Sequence, residues 1–159
     1  MISNAINLFN CNVKTNIIAA IKITAENGGD SPQFKPLLAD LLKDFNVQEI
    51  STDRAYSSHD NIDAVCNAGV HPYIPFKKNV TGKSRGYVNW YNVYHYSQIN
   101  RDKYMKHYHK RSNAESTNSA IKAKLGEPLR SKNRTAQVNE LLAKIIAYNL
   151  TVLNGPALS

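Results

Sequence analysis

Apolar residues change their spacing along this chain, and the change divides it into a strand-bearing first half and a helical second half. Ile6, Leu8, Cys11 and Val13 alternate loosely with polar positions, Lys14-Thr15-Asn16 supply turn residues, and Ile17 to Thr24 resumes a β-rich run. That pattern predicts a hairpin. Asn27-Gly28-Gly29-Asp30 breaks the chain. Ser31-Pro32 then reads as a helix start, with a hydroxyl to cap free amides and a proline at the first helical position. Phe34, Leu37, Leu38, Leu41, Leu42 and Phe45 recur at helical spacing and predict one buried stripe. Val47 to Thr52 predicts a short strand, which delivers Asp53 at its carboxyl end.

A second helix is expected from about Ser58 to Asn67, with Ile62, Val65 and Cys66 inward and Gly69 as its stop. Val70 to Phe76 reads as another strand, demoted to an edge or distorted one by Pro72 and Pro75. Residues 77–88 are basic and aperiodic and read as a loop. From Trp90 onward the pattern is helical, over 90–108, 111–125 and 135–153, with Gly126-Glu127-Pro128 before the last helix and a tail at 156–159. The order β-β-α-β-α-β followed by helices predicts an α/β fold. A length of 159 residues suits one domain, taken as 1–155.

Composition narrows the class. With 42% hydrophobic residues the chain can bury a core, which excludes wholesale disorder. No apolar run approaches the ~18–20 residues of a membrane span. Met1-Ile2-Ser3-Asn4 lacks the basic-then-apolar order of a secretory signal. Cys11 and Cys66 lie in neither metal-ligand spacing nor a disulfide framework. The expectation is a soluble, cytoplasmic protein, in which the sequons at Asn79, Asn133 and Asn149 have no bearing on glycosylation.

The net charge is +8, and its distribution matters more than its size. Residues 1–76 carry five basic against eight acidic residues, a balance of −3; residues 77–159 carry fifteen against four, a balance of +11. Such asymmetry suggests a polyanion-binding face on the second half, against the plainer reading of a solubilising surface.

Two constellations carry chemistry. Asp53, in Ser51-Thr52-Asp53-Arg54-Ala55-Tyr56, sits where a strand gives way to a loop. Strand carboxyl ends line the ligand crevice in open α/β sheets, and a carboxylate there can hold a hard cation. The alternative is an aspartate that caps the following turn. In the second constellation, Tyr108, Arg111, Glu115 and Lys122 fall near about 0°, 300°, 340° and 320° on an uninterrupted helix. One carboxylate, two cations and a phenol on one face are poor core material. They suit one metal ligand surrounded by groups that neutralise phosphates, or else a solvated face with Arg111 and Glu115 paired.

The spacing Tyr-x2-Arg-x3-Glu-x6-Lys, at Tyr108, Arg111, Glu115 and Lys122, resembles the signature of a large group of bacterial and archaeal insertion-sequence DDE transposases. Asp30-Ser31-Pro32-Gln33-Phe34, Asp53-Arg54-Ala55-Tyr56-Ser57-Ser58, Tyr73-Ile74-Pro75-Phe76-Lys77, Tyr108-His109-Lys110-Arg111-Ser112-Asn113 and Ala136-Gln137-Val138-Asn139-Glu140 also look like stretches of such enzymes. The likeness runs from about residue 6 to 153. It implies an RNase H-like mixed sheet followed by a helical carboxyl-terminal portion. It further implies three carboxylates that hold two Mg²⁺ or Mn²⁺ ions, for cleavage and strand transfer of DNA at element ends. Asp53 matches the second carboxylate and Glu115 the third. Tyr108, Arg111 and Lys122 match residues that contact transposon-end DNA, and Lys77, Lys78 and Lys110 are added as phosphate contacts.

The family's first aspartate lies on a strand upstream of the hairpin that begins here near Ile6. Of the nearest substitutes, Asn12 carries no charge and Asp30 belongs to the helix start. The expectation is therefore the carboxyl-terminal part of a catalytic domain, lacking its first strand and first aspartate. DNA is the expected partner, at transposon ends and targets, with a homodimer or an association with an intact transposase. The alternatives are a catalytically inactive DNA-binding or assembly module and a decayed remnant.

Three other signals weigh less. Gly82-Lys83-Ser84 resembles the end of a phosphate loop, but Lys77 stands at the required first glycine and no helix follows directly. His107 and His109 point to different helix sides, which disfavours a zinc pair. Tyr87, Trp90, Tyr91, Tyr94 and Tyr96 read as helix packing ahead of a base-stacking platform. Lys77, Lys78, Lys83 and Arg85 read as a phosphate-contacting loop ahead of plain solvated surface.

Overall fold

A computed structural model describes residues 8–11, 15–22, 30–126 and 129–154. Along them run strands β1 (Leu8–Cys11) and β2 (Ile18–Lys22), helix α1 (Asp30–Asp44), strand β3 (Glu49–Ser51), helix α2 (His59–Asn67) and strand β4 (His71–Tyr73). Helices α3 (Val88–Ile99), α4 (Arg101–Tyr108), α5 (Ser112–Leu125) and α6 (Arg134–Asn154) follow, with 3-10 turns at Arg54–Tyr56 and His109–Arg111. The fold is mixed α/β and mostly helical. Ile6, Val13 and Thr24 of the expected hairpin, the 27–29 break, Glu127-Pro128 and the tail lie outside the described residues.

The chain divides into two compact units, residues 29–111 and residues 1–28 with 112–159. In the second of these, β1 and β2 pair antiparallel, with an irregularity between Asn10 and Cys11. Asn16 turns the chain at φ 57°, a left-handed conformation that asparagine tolerates better than most residues. The core of this unit joins Ile18 of β2 to Ile121 of α5 and to Leu141, Ile145 and Tyr148 of α6. Asn149 completes the join. Its amide accepts from Ile18 N–H and donates to Ile18 C=O, both at 2.9 Å, and so occupies backbone groups that the ladder leaves open.

In residues 29–111, β3 and β4 pair in parallel, Glu49 beside His71 and Ser51 beside Tyr73. Helix α1 buries Phe34, Leu37, Leu38 and Leu41, as its periodicity requires. Phe45, directly after the last residue of α1, departs from the expected stripe and is 47% exposed, although its N–H still donates to Leu41 C=O at 3.1 Å. Ser58 caps α2 by accepting from Asn61 N–H at 3.1 Å, and Gly69, at φ +75°, ends it. Ile62, Ile74 and Trp90 form the buried centre, with Phe76 edge-on to Trp90.

Two expectations are corrected. The helix read over 90–108 is broken at Asn100 (φ −111°, ψ 45°), which separates α3 from α4. Neither glycine nor proline marks the site, so periodicity ran through it. The helix read from residue 111 begins at Ser112, after a 3-10 turn. Among the described strands, the sheets are two pairs, β1 with β2 and β3 with β4.

Glu140 of α6 gives the hairpin-bearing unit an acid-sensitive anchor. It accepts from the N–H groups of Arg130 at 3.0 Å and Ser131 at 2.9 Å, with Lys144 3.6 Å away. The Arg130 amide first, then Ser131 and Lys144, bring its pKa from 4.5 down to about 2. A folded pKa below the unfolded one means that the group stabilises fully above the unfolded value and ceases to do so as pH falls through the folded one. Glu140→Gln is therefore expected to melt at a lower temperature than the wild type at neutral pH. The two curves should converge as pH falls from about 4.5 towards 2, followed by circular dichroism.

Candidate functional site

The candidate site begins with how β3 is held. Glu49 and Ser51 are two residues apart, so they share one face of the strand. Both reach the end of α4. The Glu49 carboxylate spans two partners, with Oε2 2.6 Å from His107 Nδ1 and Oε1 accepting from Lys110 Nζ at 2.5 Å. Ser51 Oγ donates to the His107 carbonyl at 3.0 Å, and the His107 ring lies flat on Tyr73 of β4, centroids 4.4 Å apart. Burial works against the charge of Glu49, but the Lys110 and His107 contacts outweigh it and hold its carboxyl below the usual range. From the same helix, the buried Tyr104 hydroxyl accepts from Ile74 N–H at 2.9 Å and donates towards Ile74 C=O at 3.0 Å. Burial pushes its phenol well above the ordinary value.

Beyond this grip β3 runs through Thr52 to Asp53. Asp53 is exposed and caps the 3-10 turn at Arg54–Tyr56, Oδ1 accepting from Arg54 N–H at 2.6 Å. The turn-capping role is thus real, and it engages one oxygen. Among the described residues the other accepts from no protein donor, which leaves it able to ligate. Thr52 Oγ1 and Ser57 Oγ, on either side in sequence, are buried without a protein partner. Such orphans call for a ligand, an ion or water.

The 3-10 turn at His109–Arg111 changes the expected phase of the second constellation. In 3-10 geometry residues three apart eclipse. Arg111 accordingly sits over the Tyr108 ring, its guanidinium carbon 5.4 Å from the centroid. Tyr108 and Arg111 belong to residues 29–111, with Asp53; Glu115 and Lys122 belong to the other unit. Glu115 is exposed in the first turn of α5, where a carboxylate complements the helix dipole. Lys122 lies seven residues on, in the last turn and half-buried. The described residues contain no group of three or more His, Cys, Asp or Glu that could hold a metal. Asp53 and Glu115 are each suitable oxygen donors for a hard cation.

The cations sort by their partners. Lys110 is tied to Glu49. Lys77, Lys78, Lys83 and Arg85 are exposed, and among the described residues no carboxylate pairs with any of them. Of the aromatic series, Trp90 is 3% exposed and packs, while Tyr91 is 48% exposed. Sequence reasoning gave no part to Glu49 or Tyr104, met Ser51 and Tyr73 only within longer stretches, and weighed His107 only as half of a zinc pair. The one available hint was a charged residue in so short a strand.

A family model described as "Transposase DDE domain" matches residues 8–150. The chain belongs to that family. No curated protein and no solved structure matches it. Membership in the transposase DDE family points to DNA transposition through nuclease and strand-transfer chemistry, with DNA as partner. DDE transposases generally use divalent metals. No helix among the described residues is long and apolar enough to cross a membrane.

Loss of the Tyr104 hydroxyl would strand the buried Ile74 N–H. Tyr104→Phe is expected to cost about 1–3 kcal/mol in denaturant unfolding. A change well below that range would show that Ile74 finds another partner.

Proposed function

We propose that this chain handles DNA ends as part of an insertion-sequence transposase of the Tyr-Arg-Glu-Lys signature group, on an RNase H-like core. Asp53 and Glu115 serve as metal ligands. Tyr108, Arg111 and Lys122 position the strand, and Lys77 and Lys78 contact its phosphates. The observation that carries the reading is the run of exposed cations at Lys77, Lys78, Lys83 and Arg85, which pair with no carboxylate among the described residues, in a chain of this family. Cations without carboxylate partners are available for phosphate, which supplies most of the affinity in DNA binding.

In this reading Asp53 presents its second oxygen from a strand end held by Glu49 and Ser51. Arg111, stacked on Tyr108, offers a planar donor set to one phosphate. Lys110 reaches DNA only if it exchanges Glu49 for a phosphate. Mg²⁺ or Mn²⁺, when bound, supplies Lewis-acid chemistry for in-line attack on a phosphodiester.

Two experiments test this. If the chain nicks supercoiled DNA with Mn²⁺ present, Asp53→Asn and Glu115→Gln are expected to abolish nicking while DNA affinity stays within about threefold. Binding by the wild type without metal-dependent nicking would reduce the chain to a DNA-binding module. Lys77→Ala combined with Lys78→Ala is expected to weaken duplex binding. It should also flatten the slope of log affinity against log salt by about two, close to one per phosphate contact. An unchanged slope would remove both lysines from the interface.

A further inference from the structure

The loop before α3 lies against that helix beside a wide, shallow cleft lined by Gly82, Lys83, Ser84, Arg85, Tyr91 and His95. Tyr91 and His95 are one helical turn apart and form one wall, their rings 4.2 Å apart. Gly82 forms the contact that closes the base. A Cβ built there would lie 2.7 Å from Tyr94 Cδ1 and 2.8 Å from His95 Nε2, so only glycine lets the backbone approach these rings. The chain then turns through two successive left-handed residues, Arg85 at φ 44° and Gly86 at φ 90°. Left-handed geometry is costly for arginine, and such strain gathers at functional segments.

The lining thus combines a half-exposed phenol face with two exposed cations that no carboxylate among the described residues neutralises. Phosphate alone would need no ring, and an apolar ligand would need no cations. We propose that this cleft takes one nucleoside phosphate, the base stacked on Tyr91 and the phosphate held by Lys83 and Arg85. Base stacking on an aromatic face contributes without regard to sequence, and the adjacent charges track the backbone. Two sources offer this chemistry, an unpaired DNA strand and a free nucleotide. The proposal rests on the DNA-handling reading only for the first source.

The test uses the full chain with three probes: a short single-stranded oligonucleotide carrying 2-aminopurine, the matching duplex, and deoxyadenosine monophosphate. Single-strand binding by the wild type is expected to quench the fluorescent base. Tyr91→Leu should weaken that binding about tenfold and remove the quench, Tyr91→Phe should retain both, and duplex affinity should move less than about twofold. Lys83→Ala should weaken the single-strand complex while preserving the quench at saturation. Nucleotide binding as tight as strand binding would identify the free nucleotide as the source. Tyr91→Leu with unchanged single-strand affinity and quench would overturn the proposal, as would equal losses on single strand and duplex. A wild type that stacks single strands but binds no duplex would sink the transposase reading and leave the cleft standing. Duplex binding with no stacking would do the reverse.

Discussion

Two parallel strands of three residues each make few ladder hydrogen bonds, so the exit of β3 towards Asp53 depends on what grips the strands from the side. That grip is α4. Tyr104 supplies a buried hydroxyl to both backbone groups of Ile74, just beyond β4, and His107 lies on Tyr73 while its carbonyl accepts from Ser51. Glu49 draws in the following 3-10 turn through Lys110. Each of these replaces a contact that a longer sheet would obtain from its own neighbours. Their loss would act first on the direction in which Asp53 leaves the strand.

The same grip decides what the basic residues of this segment can do. Lys110 belongs to the signature stretch, yet it neutralises Glu49. Arg111, one residue on, lies over Tyr108 because the turn is 3-10. Lys77, Lys78, Lys83 and Arg85 have no such obligation. The surplus of positive charge in the second half therefore resolves into cations that hold the fold and cations that face solvent. The second group is the one proposed above to meet phosphate.

Much of the fold was legible in local pattern. The stripe Phe34, Leu37, Leu38 and Leu41 is buried because an amphipathic helix must cover its apolar face. Ser58 and Gly69 bound α2 through capping chemistry that needs only neighbours in sequence. Asp53 was legible as a strand-end carboxylate for the same reason. The break at Asn100 was not, since neither glycine nor proline marks it and the helical spacing runs on through it.

By itself, the sequence determined the amphipathic stripes, the strand-to-loop position of Asp53, the spacing of Tyr108, Arg111, Glu115 and Lys122, and the unequal charge of the two halves. All are properties of residues a few positions apart, or of simple counts. Only the tertiary structure decided that Glu49 meets His107 and Lys110, separated from it by 58 and 61 positions. It alone decided that Arg111 eclipses Tyr108 and that Gly82 is pressed against Tyr94 and His95. The physical reason is common to all three. A hydrogen bond, a ring contact or a close backbone approach depends on which atoms the folded chain brings within a few ångströms, and neither spacing nor composition carries that distance.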